Sequence, residues 1–195
     1  MLILGAVLCA TSAVDARGKL SKSDSARFQA KLDQIQKNAA APPRKNAAPR
    51  VTTVTDTEVN SYFKYDGKVH VPVGIADPTL HGAGNGRVTG RAIVDLDAVR
   101  TQKRRSWTDP LAYLSGRLPI TAAGTLTTQN GVGRFQLESA EISGVPVPKS
   151  LLQELLSYYS KTPERPAGIK MDDPFTLPSA IREIRIGEGT AAIVQ

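Results

Sequence analysis

The sequence predicts an α+β fold, a curved antiparallel β-sheet wrapped around one principal amphipathic helix. Three observations carry this expectation. Residues 116–128 and 132–145 are long alternating arms joined by Gln129-Asn130-Gly131, and Asn-Gly is a strong short-range hairpin signal. In 149–159, Leu151, Leu152, Leu155, Leu156 and Tyr159 recur at helical spacing and make a wide apolar face. Gly144-Val145-Pro146-Val147-Pro148 leads into that helix, and Phe175-Thr176-Leu177-Pro178 leads out of it toward two short alternating strands at 181–186 and 191–194.

Taken in order, residues 1–16 contain no Lys or Arg, are apolar over the first ten positions, and end in Val14-Asp15-Ala16. This resembles the apolar and cleavage regions of a secretory signal, although the basic n-region is missing. Export to the periplasm, or otherwise out of the cell, is therefore expected. An apolar run of about ten residues is too short for a bilayer, which needs about 20. Cys9 is the single cysteine, and Leu8 before it argues against lipidation. Cleavage after Ala16 leaves no cysteine for a disulfide or a thiolate.

Within 17–50, residues 21–37 form a marginal helix with Phe28, Leu32 and Ile35 on one face, docking lightly or lying outside the domain. Residues 38–50 are an Ala/Pro/Lys/Arg linker, so the folded domain spans 51–195. Thr55-Asp56-Thr57-Glu58 is a capping-box pattern that starts a short helix through Val59, Tyr62 and Phe63, and Asp66-Gly67 then turns the chain. Val69, Val71, Val73 and Ile75 alternate as one face of a strand that Pro72 assigns to an edge or a bulge. A second strand runs from 87 to 97, with Val88, Ala92, Val94 and Leu96 on one side. Residues 109–115 form a helical turn carrying Leu111 and Leu114. In the hairpin, Phe135 and Leu137 start the apolar face of the second arm, but Ala140 and Ile142 continue it in the opposite phase. A β-bulge near Ser139 accounts for that shift. Pro148 fits the first helical position.

The chain carries +7, and loss of residues 1–16 removes only Asp15, which raises the charge to +8. Such a protein suits anionic surfaces: phospholipid headgroups, lipopolysaccharide or nucleic acid. No nucleic-acid-binding motif accompanies the charge. Arg100, Lys103, Arg104 and Arg105 run into Trp107, the sole tryptophan. Cations beside an indole favour the headgroup zone of an anionic membrane, and a solvated basic loop with Trp107 in the core is the other reading.

Chemistry-bearing groups are sparse. His70 and His81 match no zinc spacing, and His81 reads as a solvated loop residue. Gly82, Gly84 and Gly86 precede a strand, where phosphate binding would need a helix N-terminus, so they read as a flexible turn. Asp95 and Asp97 share a strand face and would suit paired-carboxylate hydrolysis, but an exposed polar face explains them more simply. No G-x-S-x-G elbow occurs. No catalytic residue, metal or cofactor is expected.

The capped helix at Thr55, the antiparallel strands, the long hairpin, Gly144-Val145-Pro146-Val147-Pro148, the Leu-rich helix and Phe175-Thr176-Leu177-Pro178 together resemble the small bacterial relatives of the tubular lipid-binding (TULIP-like) superfamily, over about residues 51–195. The resemblance implies a sheet wrapping a helix around an elongated apolar cavity for acyl chains. It also implies an apolar groove lined by Phe135, Leu137, Leu152, Leu156 and Tyr159. The chain has a single sheet-and-helix unit where larger members have two, so a closed tube calls for a homodimer. The expected function is exported, non-enzymatic binding or transport of lipids or other amphiphiles at the cell envelope, with Arg100, Lys103, Arg104, Arg105 and Trp107 touching the membrane. The alternative is an envelope structural or assembly factor that binds a protein partner and has no lipid cavity.

Overall fold

The computed structural model describes residues 18–42, 48–67, 71–101 and 115–195, the side chains of Arg100 and Tyr159 excepted. Its architecture is α+β with antiparallel sheets, as the sequence predicts. The elements follow as α1 (Lys22–Ala40), β1 (Val51–Thr55), α2 (Asp56–Tyr65), β2 (Ile75–Gly82), β3 (Arg87–Asp95), α3 (Leu96–Thr101), β4 (Arg117–Gln129) and β5 (Val132–Ile142). Then come β6 (Val145–Pro146), α4 (Lys149–Ser160), β7 (Phe175–Thr176), β8 (Glu183–Ile186) and β9 (Thr190–Val194). A three-stranded sheet has the order β1-β9-β8. A larger sheet runs β2-β3-β4-β5-β6, and β7 pairs with β5.

The helix α1 corrects the expectation of a marginal, lightly docked segment. It is capped by Ser21, packs along α2, and delivers Ile35, 4% exposed, into a core cluster with Leu177 and Ile181. Phe28 meets Tyr62 with ring centroids 5.2 Å apart. The fully buried Ser25 donates to the carboxylate of Asp66. At the far end Gln195 donates to Ile35 O at 2.9 Å and to Ser179 O at 2.7 Å, which sews the C-terminus to the helix. The folded unit therefore starts before Val51.

The capping box forms. Glu58 N donates to Thr55 Oγ1 at 3.2 Å, and Thr55 N donates back to Glu58 Oε2 at 2.9 Å. Glu58 is buried, and Lys31 of α1 reaches both of its oxygens at 2.7 Å. Burial by itself raises the Glu58 carboxyl. The Lys31 ammonium and the Thr55 N–H outweigh burial and hold it below the usual carboxylate range.

In the larger sheet the first strand is displaced from its expected place. Residues 71–74 are a turn closed by Ile75 N to Pro72 O at 3.1 Å, with Gly74 at φ 87, and β2 begins only at Ile75. One extra residue between Ala76 and Thr79 makes a bulge, with Asp77 at φ 48 ahead of Pro78. Strand β3 ends at Asp95, two residues short of the expected end, because Asp95 Oδ1 accepts Ala98 N at 2.9 Å and starts α3.

The β4–β5 hairpin turns on Asn130 (φ 50) and Gly131 (φ 81), the left-handed pair of a type I′ turn. The expected bulge lies at Glu138, since Ala123 pairs with Ser139 and Gly124 with Leu137. This returns Phe135, Leu137, Ala140 and Ile142 to the side of Leu118, Ile120, Ala122 and Leu126. A second two-residue turn, Ser143 (φ 53) and Gly144 (φ 79), folds β6 onto β5. Pro148 is the N-cap of α4, one position earlier than expected. The helix then travels from β6 to β7, both paired with β5, and its Leu152, Leu155 and Leu156 are half-buried.

Stability should fall with acid through Glu58. A carboxylate held below its ordinary value of 4.5 stabilises the fold above that value, and the contribution is lost as pH falls through the lowered one. Lys31→Met should cost about 1–2 kcal/mol at neutral pH, a charged hydrogen bond discounted for partial exposure. It should also flatten the acid limb, as read by urea denaturation at neutral and acidic pH. An unchanged acid limb would remove Lys31 from the account.

Candidate ligand-binding cleft

An amphipathic helix end and an irregular strand entrance leave a cleft of about 550 Å³ between them. On α2, Asn60, Phe63 and Lys64 share one face at i, i+3 and i+4. Opposite them run residues 71–79, with Val71, Val73, Ile75 and Ala76 contributing apolar wall, and Leu20 closes the side near α1.

The geometry explains why the space stays open. Strand β2 is an edge, and α2 covers it at two points. The Asn60 carboxamide donates to Leu80 O and accepts Leu80 N, both at 2.8 Å. Asp56 accepts Gly82 N at 3.1 Å. Such pairing blunts an exposed strand edge. Before Leu80 the Asp77 bulge breaks the ladder, and no further backbone clasp joins α2 to β2 among the described residues. The opposite wall is anchored elsewhere: Asp95 N donates to Gly74 O at 2.6 Å, and a side chain at Gly74 would run into Val99.

Two charged groups stand at the rim. Lys64 in the last turn of α2 and Asp77 on the bulge are both exposed. Lys64 Nζ lies 5.6 Å from the Tyr65 ring centroid. Neither group makes an ion pair among the described residues.

Next to the cleft, the glycine-rich stretch is a joint rather than a flexible turn. Gly84 N donates to Gly187 O at 3.2 Å, Gly86 N to Ile186 O at 3.3 Å, and Gly189 N to Gly82 O at 2.8 Å. A Cβ on Gly82 would lie 2.6 Å from Gly187 O, so glycine is required for the approach. His81 is half-exposed at the end of β2, with Nδ1 2.7 Å from Asp56 Oδ2, which corrects its reading as a solvated loop residue.

The residues singled out from the sequence fall elsewhere. Phe135 and Leu137 lie half-buried on β5, Leu152 and Leu156 half-buried on α4, and Tyr159 is in the last turn of that helix. None of them lines the cleft. The Phe135 ring lies against Gly124, where a Cβ would sit 2.5 Å from Cζ. Arg100 belongs to α3, while Lys103, Arg104, Arg105, Trp107, His70, residues 1–16 and most of the 109–115 turn lie outside the described residues. Asp95 and Asp97 do not share a strand face: Asp95 caps α3, and Asp97 Oδ2 accepts Gly116 N at 2.9 Å. Sequence reasoning missed Asn60, Phe63 and Lys64. The signal available was their common helical face preceding the apolar Val71, Val73 and Ile75.

No protein-family model, curated protein or solved structure matches the chain. Among the described residues no group of three or more His, Cys, Asp or Glu is placed to hold a metal ion. No described helix is long and apolar enough to cross a membrane.

The joint makes an asymmetric prediction for glycine. Gly82→Ala should destabilise the protein by about 1–3 kcal/mol, the usual cost of forcing atoms into a closed contact. Gly90→Ala, whose Cβ meets Leu80 Cδ2 at 3.4 Å and Thr79 O at 3.9 Å, should stay within about 1 kcal/mol of the parent. Equal losses in chemical denaturation would show that the approach at Gly82 is not a constraint.

Proposed function

We propose that the protein is a non-enzymatic binder of small amphiphiles, and that the cleft between α2 and residues 71–79 is its ligand site. The observation that carries this is a mainly apolar hollow of about 550 Å³ whose two charged lining residues, Lys64 and Asp77, are exposed. Ligand pockets of about 300–1,000 Å³ with apolar walls and few polar groups are the usual size and make-up. Each methylene buried there contributes about 0.8 kcal/mol, so a short alkyl chain suffices for useful affinity.

Export to the cell envelope, transport between membranes, and contact of Arg100, Lys103, Arg104, Arg105 and Trp107 with an anionic membrane belong to the same proposal. They rest on the sequence pattern and the charge of +7. The TULIP-like resemblance belongs there too, as a precedent for an apolar cavity beside antiparallel strands. The cleft, however, lies apart from the groove which that resemblance implied.

One observation favours the alternative of an assembly factor with a protein partner. Val145 (64% exposed), Leu151 (42%) and Phe175 (43%) present apolar side chains from β6, α4 and β7, of which β6 pairs with the Glu141–Ile142 end of β5 and β7 with its Val132–Gly133 end. Apolar side chains spread along the free edge of β5 suit an extended protein contact rather than a single small patch.

The two readings separate on a cavity-filling variant. Ile75→Trp should lower the affinity for a medium-chain alkanol, measured by displacement of a fluorescent apolar dye, by about tenfold or more. That is the loss expected when roughly two buried methylenes are displaced. Circular dichroism should show the variant folded. Unchanged alkanol binding in a folded variant would sink the cleft as the ligand site.

A further inference from the structure

We infer that the cleft selects zwitterionic amphiphiles: an apolar chain whose head carries one cationic and one anionic group. The inference rests on the cleft being the ligand site and adds the chemistry of its rim. Lys64 comes from α2 and Asp77 from the opposite wall, and both line the same hollow. They do not pair with each other, although the molecule pairs opposite exposed charges elsewhere. Lys149 meets Asp172 at 2.8 Å, Arg185 meets Glu183 at 2.7 Å, and Arg87 meets Glu138 at 2.9 Å. Both groups line the cleft and are exposed, and neither makes an ion pair or a side-chain hydrogen bond among the described residues.

A singly charged head meets one attractive and one repulsive group at such a mouth. A head carrying both charges can satisfy both groups at once. The backbone at Asp77 supports a placed charge. Its φ is 48, and it precedes Pro78, a combination disfavoured for an ordinary residue. Aspartate tolerates this region better than most side chains. Backbone strain of this kind concentrates at ligand sites. Asn60, the remaining amide at the cleft, is committed to Leu80 and does not compete for the head.

The test uses the full chain and four probes of one chain length, all below micelle formation: an alkyl betaine, an alkanoate, an alkyltrimethylammonium and an alkanol. In dye displacement the parent should bind the betaine about two- to fivefold more tightly than either singly charged probe, the range for exposed charge contacts. Lys64→Gln should weaken the betaine and the alkanoate but not the ammonium. Asp77→Asn, which keeps the positive φ accessible, should weaken the betaine and the ammonium but not the alkanoate. In each variant alkanol binding should change less than betaine binding. Equal binding of all four probes by the parent would overturn the head-group inference while leaving the cleft intact. Substitution effects that ignore head charge would overturn it as well. Failure of every probe, the alkanol included, would remove the cleft reading and this inference with it.

Discussion

The carboxylate and backbone of Asp56 hold together two sheets that share no strand among the described residues, and the positions of α2 and the cleft follow from that joint. Its side chain accepts Gly82 N from the end of β2, while its own N–H donates to Gly189 O at 3.0 Å in the β8–β9 turn. The residue therefore bonds both sheets from the first turn of a helix, where an acidic side chain also complements the helix dipole. Around it, backbone groups of the β2–β3 turn bond those of the β8–β9 turn directly. Backbone contact at this range tolerates no side chain between the strands, which is the physical reason for glycine at 82. A second seam reinforces the first: Thr128 Oγ1 accepts Ile184 N at 2.7 Å and donates to Ile184 O at 2.9 Å.

From this joint α2 is fixed at its N-terminus by the capping box and one turn later by the Asn60 clasp on Leu80. Beyond Asn60 the partner strand bulges at Asp77 and gives way to the turn at 71–74, which is tied to the start of α3 instead. Helix and strand thus part along the stretch where Phe63 and Lys64 face outward from α2. The cleft is the space left where an edge clasp ends and a bulge begins. Its walls are held by hydrogen bonds to neighbouring elements, Asn60 to Leu80 and Gly74 O to Asp95 N, so the two sides are fixed without contact across the cleft.

Features encoded within a few residues were legible in the sequence. The capping box depends on residues three apart, the Asn130-Gly131 turn on two neighbours, and the Glu138 bulge on a phase change along one strand. Features closed by distant partners were not. The docking of α1 rests on Ser25 with Asp66, Lys31 with Glu58, and Gln195 with Ile35, none of which a periodicity argument registers. The Leu stripe of α4 carries a related ambiguity. Helical periodicity shows which face seeks cover but not what covers it or how completely, and here those leucines are only half-buried. Asp95 and Asp97 misled because a strand spacing was assumed across the point where α3 begins.

Global and local charge then act on different steps. The excess of +7 belongs to the chain as a whole, and on the proposed function it would draw the protein toward anionic surfaces over a range set by salt. The mouth of the cleft carries one charge of each sign, and so contributes no net charge to that long-range field. Raising ionic strength would therefore weaken surface association far more than cleft occupancy, because burial of an apolar chain is not screened by salt. On the proposed function, arrival at a charged surface would depend on the field and retention of a ligand with no net charge on the apolar wall, so the two would respond differently to salt.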